Sequence, residues 1–527
     1  MRSPTIRRIE FSAAILLSFV ALLLLIIRAT HAGALWRDEC DTVATATLPT
    51  FSELFHLFQL DSFPLPLIFA LRGYSAVIGS SDVAWRLFGL LTGIGLLVVG
   101  WWSARCLRCD VPLVFLTLAA LHPTFLTWGT TVRGYGPGSV LIVFAFAATA
   151  VFLSNPTRRN AIVMIIAFIA AVQCLVSNTV LVFAICLSAV VMCLLRGDRK
   201  STAPVLAGLL FAALSFVPYL AIYPKMGWHV LLHADVSLHE WLAAFFNSLG
   251  LANPATDLAW LGLTLIAAIG WILNRNKQAA SPLSAFALLT ALFSLAGGCV
   301  FFKLLSYFPN EWYFLPFICL LAGTLQLANS NVAVSAAVRL VRVLACFVAI
   351  AGTWWWSWPT LMERQSNVDL IADWLASQAK AGDLIVVNPW FLGVSFNRYY
   401  RGAAPWVTLP LLTDPRIHRY DLLQKKMAEN DPLKDFKLKV EQTLRNGGRL
   451  YLVGCVAIGE GERAMVLPPA PRSQYGWHDL PYRISWSEQT AEFLIAHAQS
   501  DVITVEFGSK INPVEKIKLC QVEGWHD

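Results

Sequence analysis

The first polar stretch of the chain reads Trp36-Arg37-Asp38-Glu39-Cys40-Asp41 and follows directly on a long apolar run. Three carboxylates at the mouth of such a run suit one kind of chemistry. A carboxylate at a membrane surface can take the proton from an acceptor hydroxyl as a general base. Partial dehydration strengthens a carboxylate as a base. Asp38 is the first candidate for that role and Glu39 its neighbour, with Asp41 and Asp61 next in line. The ordinary alternative is a solvated loop, the commoner fate of charged residues.

Chemistry at a phosphate oxygen also needs fixed cations. Arg133, in Thr131-Val132-Arg133-Gly134-Tyr135, and Lys303 fall at the ends of apolar runs. There they can stabilise charge developing on a leaving phosphate, or simply snorkel to headgroups. His229, His233, His239, Asp235 and Glu240 crowd a second polar stretch. His229 and His233 are four residues apart, which puts both rings on one helix face and permits a divalent cation. A helix lying at the interface is the competing reading. No cofactor is demanded: Gly459 and Gly461 do not make the GxGxxG cradle of a nucleotide site.

The elements that must position these residues are mostly membrane helices. Hydrophobic residues make up 57% of the 527 and charged residues only 14%, too little polar surface for a soluble chain of this length. The apolar residues come in unbroken runs. About eleven are long enough to span, near 11–27, 84–102, 111–127, 137–153, 161–176, 179–195, 203–222, 256–273, 282–302, 312–328 and 334–357. Arg2, Arg7, Arg8; Arg105, Arg108; Arg158, Arg159; Arg196, Arg199, Lys200; Arg275, Lys277; and Arg339, Arg342 then all fall on one side. The positive-inside rule makes that side, and the N-terminus, cytoplasmic. Two long external loops result, near 28–83 and 223–256; within the first, 64–78 is too short to span and suits an interfacial helix.

Residues 1–357 therefore read as a membrane module and 358–527 as a soluble extracytoplasmic domain. After Trp358 helical spacing at Val368, Ile371, Trp374 and Leu375 is followed by the strand-like Leu384-Ile385-Val386-Val387. The same order recurs at 432–445 with 450–453, and at 488–498 with 502–505. Alternation of this kind predicts an α/β layer. The net charge of +7 is spread over the loop clusters, with no basic face interleaved with aromatics, which excludes a nucleic-acid partner. Most cysteines lie inside apolar runs as small hydrophobes. Cys106 and Cys109 form a CxxC with no second pair to complete a metal site. Cys455 and Cys520 can pair if their domain is outside the cell.

Taken in order, Asp38-Glu39 after the first span, Pro64 and Pro66, Arg86 before the second span, and Arg133-Gly134-Tyr135 after the third form a set. It resembles the GT-C glycosyltransferases, and within them glycosyltransferase family 39 with its bacterial relatives, the protein O-mannosyltransferases and the lipid A aminoarabinose transferase. The resemblance is good over roughly residues 10–155 and rests on layout beyond. It implies a GT-C bundle in a bacterial inner or plasma membrane. It implies inverting transfer of one hexose or pentose from a polyprenyl-phosphate carrier to a lipid, glycan or protein acceptor on the non-cytoplasmic side. Asp38 matches the family's catalytic Asp and Glu39 its partner; Arg86, Asp61, Arg133, Tyr135, Lys303 and Tyr313 are the substrate-binding candidates. Three positions depart from the family pattern: Thr131 replaces a carboxylate, Ser62-Phe63-Pro64-Leu65-Pro66 lacks a His, and Asn310-Glu311-Trp312-Tyr313 lacks an Arg before its Tyr. Two other classes stay open. A transporter or lipid flippase would show mid-span polar residues or internal repeats, both scarce here. A non-catalytic scaffold with an external binding domain would tolerate the altered motifs.

Overall fold

In a computed structural model of the protein, the described residues are 4–527 except 62, 108, 110, 223–227, 233, 252–253, 275–281, 331–335, 455, 457–463, 500–502, 506 and 509. By its internal packing the chain divides into two compact units. One comprises Met1–His31, Phe63–Leu220 and Ala234–Met362; the other comprises Ala32–Ser62, Ala221–His233 and Glu363–Asp527. Residues 32–62, the greater part of the first expected external loop, thus pack with the C-terminal residues rather than with the helices that flank them in sequence.

Along the chain the principal helices are α1 (Pro4–His31), α2 (Arg37–Ala46), α3 (Phe51–Leu57), α4 (Leu65–Ile78), α5 (Asp82–Cys106), α6 (Tyr135–Ser154), α7 (Arg158–Cys174), α8 (Asn178–Leu195), α9 (Arg199–Leu214), α10 (Leu238–Phe246), α11 (Pro254–Asn274), α12 (Pro282–Leu305), α13 (Leu315–Ser330) and α14 (Ala336–Leu361). They continue with α15 (Val368–Gln378), α16 (Gly393–Tyr399), α17 (Tyr420–Met427), α18 (Lys434–Arg445) and α19 (Asp479–His497).

The first unit is a helical bundle. Among the described residues seven helices are long and apolar enough to cross a membrane, which makes this an integral membrane protein. Side-chain caps set the starts of α5, α7 and α9: Ser81 accepts from the Ala84 N–H, Thr157 from Asn160 and Asp198 from Ser201. α6 lies at the centre, packed by α5, α7 and α13. Glu10 of α1 is buried and ion-paired to both Arg339 and Arg342 of α14. A carboxylate inside a bundle is sustained only by such partners.

One expected span differs. Residues 111–127 do not form a single helix. They form a helical turn at Leu113–Phe115 and two π-helical turns, Leu116–Ala120 and Phe125–Gly129, broken at His122-Pro123. Proline lacks an N–H and disfavours helix at the residue before it. The segment is almost wholly buried by other protein, the setting in which irregular backbone is tolerated at membrane depth. Its polar groups find partners there. Gln326 Oε1 accepts from the Val114 and Phe115 N–H groups, and its Nε2 donates to the Val111 carbonyl.

The second unit is α/β. Its strands are β1 (Leu384–Val387), β2 (Trp406–Thr408), β3 (Arg449–Val453), β4 (Ile503–Val505) and β5 (Leu519–Glu523), in the order β2-β1-β3-β5-β4. β2, β1 and β3 are parallel; β5 is antiparallel to β3 and to β4. Side chains alternate faces along a strand. Leu384, Val386, Leu450, Leu452 and Val522 pack with Leu423, Phe436, Val440, Tyr482 and Trp486 of α17, α18 and α19. Ile385, Val387, Tyr451, Val453 and Leu519 pack with Val368, Ile371, Leu375 and Phe396 of α15 and α16. Both faces of the sheet are covered, as parallel sheets require. Cys520 is disulfide-bonded; Cys455 lies outside the described residues.

Candidate active site

The acidic motif forms the first turns of α2, in the α/β unit. Glu39, fully buried, turns its carboxylate back so that Oε2 accepts the Trp36 N–H at 3.2 Å, closing the helix start as a capping glutamate does. Asp41 is also buried. Its Oδ1 accepts the His418 N–H at 2.7 Å, and Oδ2 lies 3.5 Å from the His418 Nδ1. The Asp38 side chain is 20% exposed, with Oδ1 3.5 Å from the Arg37 Nε. Of the motif's carboxylates it is the most exposed, against 12% for the Asp41 side chain and none for Glu39.

Around that turn the unit supplies charge from far along the chain. The Arg37 N–H donates to both oxygens of Glu515, at 3.1 and 3.0 Å, and its Nη1 to Oε2 at 3.3 Å. The Arg37 guanidinium lies 4.7 Å over the Phe391 ring. The Leu35 N–H donates to the Tyr399 hydroxyl at 2.8 Å. Burial pushes the Glu515 carboxyl up to about 7, Arg37 offsetting only part of the cost. Burial works against a charged His418, but the Asp41 carboxylate outweighs it and holds the imidazole above its ordinary range. Asp61 is buried just after the 3-10 turn Phe58–Leu60 of the same unit, its N–H donating to the Phe58 carbonyl.

The cationic motif lies in the bundle. Arg133 is buried in the turn between the second π-helical stretch and α6. Its guanidinium stands 4.5 Å over the Phe63 ring and 6.0 Å over that of Tyr135. Tyr135 opens α6 and meets Phe63 edge-on at 5.7 Å and Tyr313 edge-on at 5.3 Å. Tyr307 closes on Tyr313 at 5.5 Å. Beside them Trp128 packs on Trp312 at 4.6 Å and donates its indole N–H to Glu311 at 3.3 Å. The Arg133 turn sits so close because Gly89 and Gly136 lack a Cβ, which would fall 1.9 Å from the Thr130 and Gly129 carbonyl oxygens respectively. The result is a guanidinium held on an aromatic platform, suited to anionic oxygen.

Arg133, Tyr135 and Tyr313, separate in sequence, are thus brought together. Arg86 lies half-buried in the second turn of α5. Lys303 is exposed at the end of α12, its Nζ 2.6 Å from Asp235. Glu240 accepts the Ser237 N–H at the start of α10. His233 and the His229 side chain lie outside the described residues, and among the described residues no three His, Cys, Asp or Glu side chains gather as a metal site. Sequence reasoning missed His418, Glu515 and Phe63 as members of these clusters. Phe63 had a signal, its place in the proline motif; the other two stand hundreds of residues from what they touch.

No family model matches the chain, and no curated protein matches it. Solved structures do. ArnT from Cupriavidus metallidurans, a GT-C glycosyltransferase, bound to undecaprenyl phosphate, aligns over 96% of this chain and 97% of its own, with TM-score 0.54 and 13% identity. The apo state of the same protein aligns over the same shares with TM-score 0.53 and 13% identity. The oligosaccharyltransferase of Archaeoglobus fulgidus aligns over 85% of this chain and 69% of its own, with TM-score 0.45 and 11% identity. The chain has the GT-C fold.

Proposed function

We propose that the protein is an integral membrane glycosyltransferase that moves one sugar from a polyprenyl-phosphate carrier to an acceptor hydroxyl on the non-cytoplasmic side. The observation that supports it best is the likeness over nearly the whole chain to ArnT, whose structure holds undecaprenyl phosphate. Fold alone does not fix activity, so the reading leans also on the residues. Asp38 is the most exposed carboxylate of its motif, and Arg133 is a buried cation on an aromatic platform.

The chemistry follows. The acceptor oxygen attacks the anomeric carbon as Asp38 takes its proton. The glycosidic C–O bond breaks, its electron pair leaves with the lipid phosphate, and attack opposite the leaving group inverts the centre. Arg133 holds the phosphate and stabilises the charge it gains. Glu39 closes the α2 turn that carries Asp38. Lipid, glycan and protein hydroxyls all satisfy this scheme, as do hexose and pentose donors. A divalent cation remains compatible with it.

The test is transfer from labelled polyprenyl-phosphate sugars to membrane extracts. Asp38→Asn keeps the side chain's size and cannot accept the proton. Turnover should fall by roughly two to four orders of magnitude, the usual range for losing a positioned base, with donor binding nearly unchanged. Wild-type rates in Asp38→Asn would move the base elsewhere, and no transfer by the unaltered protein from any donor would refute the reading.

A further inference from the structure

α2 is short, and short helices owe their order to tertiary contacts. Two residues from later in the α/β unit hold it. Glu515, on the 3-10 turn Pro513–Glu515, puts a carboxylate against the first N–H of α2 and against the Arg37 guanidinium. A negative group at a helix N-terminus stabilises that end. His418, one turn along, donates its backbone N–H to Asp41, and its ring faces the other Asp41 oxygen. Between the two brackets stands Asp38, sharing Arg37 with Glu515.

We propose that Glu515 and His418 are positioning residues for sugar transfer, bracing α2 on either side of Asp38 so that its carboxylate is held in one orientation. The inference rests on the role given to Asp38 above. Neither residue takes part in bond making. Glu515 also divides the attraction of Arg37: while ionised it competes with Asp38 for the guanidinium, and once protonated it leaves Arg37 to Asp38. A carboxylate whose oxygens are held by a guanidinium has fewer lone pairs left to meet an incoming hydroxyl. Among the described residues the charged and titratable groups gathered here are Arg37, Asp38, Glu39, Asp41, His418 and Glu515, with Arg483, paired to Asp479, on the same Phe391 ring as Arg37. Burial pushes the Glu515 carboxyl up to about 7, which sets the pH at which the sharing changes.

The test uses the full chain in Glu515→Gln and His418→Asn forms. Each should lower kcat by roughly 10- to 100-fold, the scale of a small misplacement, with KM for the lipid-linked donor unchanged. Glu515→Gln should also abolish a rise in kcat as pH passes through about 7, which a merely structural residue would not do. Independently of activity, hydrogen exchange of the α2 amides should quicken in both variants. If Asp38→Asn is inactive while Glu515→Gln keeps the wild-type pH profile, the bracing idea fails alone. Unchanged α2 protection in both variants would also overturn it. Active Asp38→Asn would instead remove the reading beneath it.

Discussion

The rings of Tyr135 and Tyr313 meet edge to face, centroids 5.3 Å apart, and join two segments nearly two hundred residues apart in sequence. Such pairs contribute about 0.5–1.5 kcal/mol beyond the area they bury. Here the pair also backs the ring over which Arg133 is held.

Loosening that platform should weaken donor binding. Tyr313→Ala is expected to raise the Kd for a polyprenyl phosphate by about 2- to 10-fold, matching the pair energy, while Tyr313→Phe stays near wild type. Arg133→Ala should have the larger effect, and Arg133→Lys should restore it only in part, because an ammonium lacks the planar fork. Equal affinity of all four variants in a lipid-phosphate binding assay would reduce the cluster to packing.

Removing one charge from the Glu10–Arg339–Arg342 group should destabilise the bundle. Glu10→Gln leaves two guanidiniums poorly compensated, a loss of about 3–5 kcal/mol for breaking a buried pair. The triple change Glu10→Met, Arg339→Met, Arg342→Met should recover much of the melting temperature in detergent. A Glu10→Gln protein as stable as wild type would show that water reaches these groups.

Stability should depend on pH through Glu515 and His418. Both have folded-state pKa values above their ordinary ones, Glu515 at about 7 against 4.5. A raised folded value means that the folded chain holds the proton more tightly. That stabilisation is complete below the ordinary value and is lost as pH climbs through the folded one. The melting midpoint should therefore fall between about pH 5 and pH 8, and Glu515→Gln should flatten the fall. Asp383, Asp414 and Asp421, held below their ordinary range, act in the opposite sense and at lower pH. An identical slope with and without Glu515 would contradict the assignment.

Topology can be read with reporters. A tag after Trp358 should report from the non-cytoplasmic side and one in the 196–201 loop from the cytoplasm, because every basic cluster then falls inside. A cytoplasmic C-terminal reporter would put Asp38 and an external acceptor out of agreement.

What was legible in the sequence was whatever has a short period. Apolar runs predicted α1, α5, α6, α7, α8, α9, α11, α12, α13 and α14, and the spacing from Val368 to Leu375 predicted α15 and the strand behind it. β2 was missed because Trp406–Thr408 is three residues long, and β5 because Leu519–Glu523 follows no helix of its own. The irregular 111–127 segment was read as a span because composition there is apolar. Only the His122-Pro123 step hinted otherwise, and its meaning depends on Gln326 arriving from another helix. Within the candidate site the ordered motif pointed to Asp38, Arg133 and Tyr135. Their surroundings were not legible: His418 meets Asp41 across 377 positions and Glu515 meets Arg37 across 478, and no local pattern encodes such a pairing.

The pairing of α1 with α14 has a consequence for how the protein is made. Glu10 enters the translocation machinery with the first helix, yet Arg339 and Arg342 are synthesised 329 and 332 residues later. At a synthesis rate of about 5–20 residues per second, that carboxylate waits tens of seconds for its partners. Until α14 emerges, the counter-charges of Glu10 have to come from water or lipid headgroups.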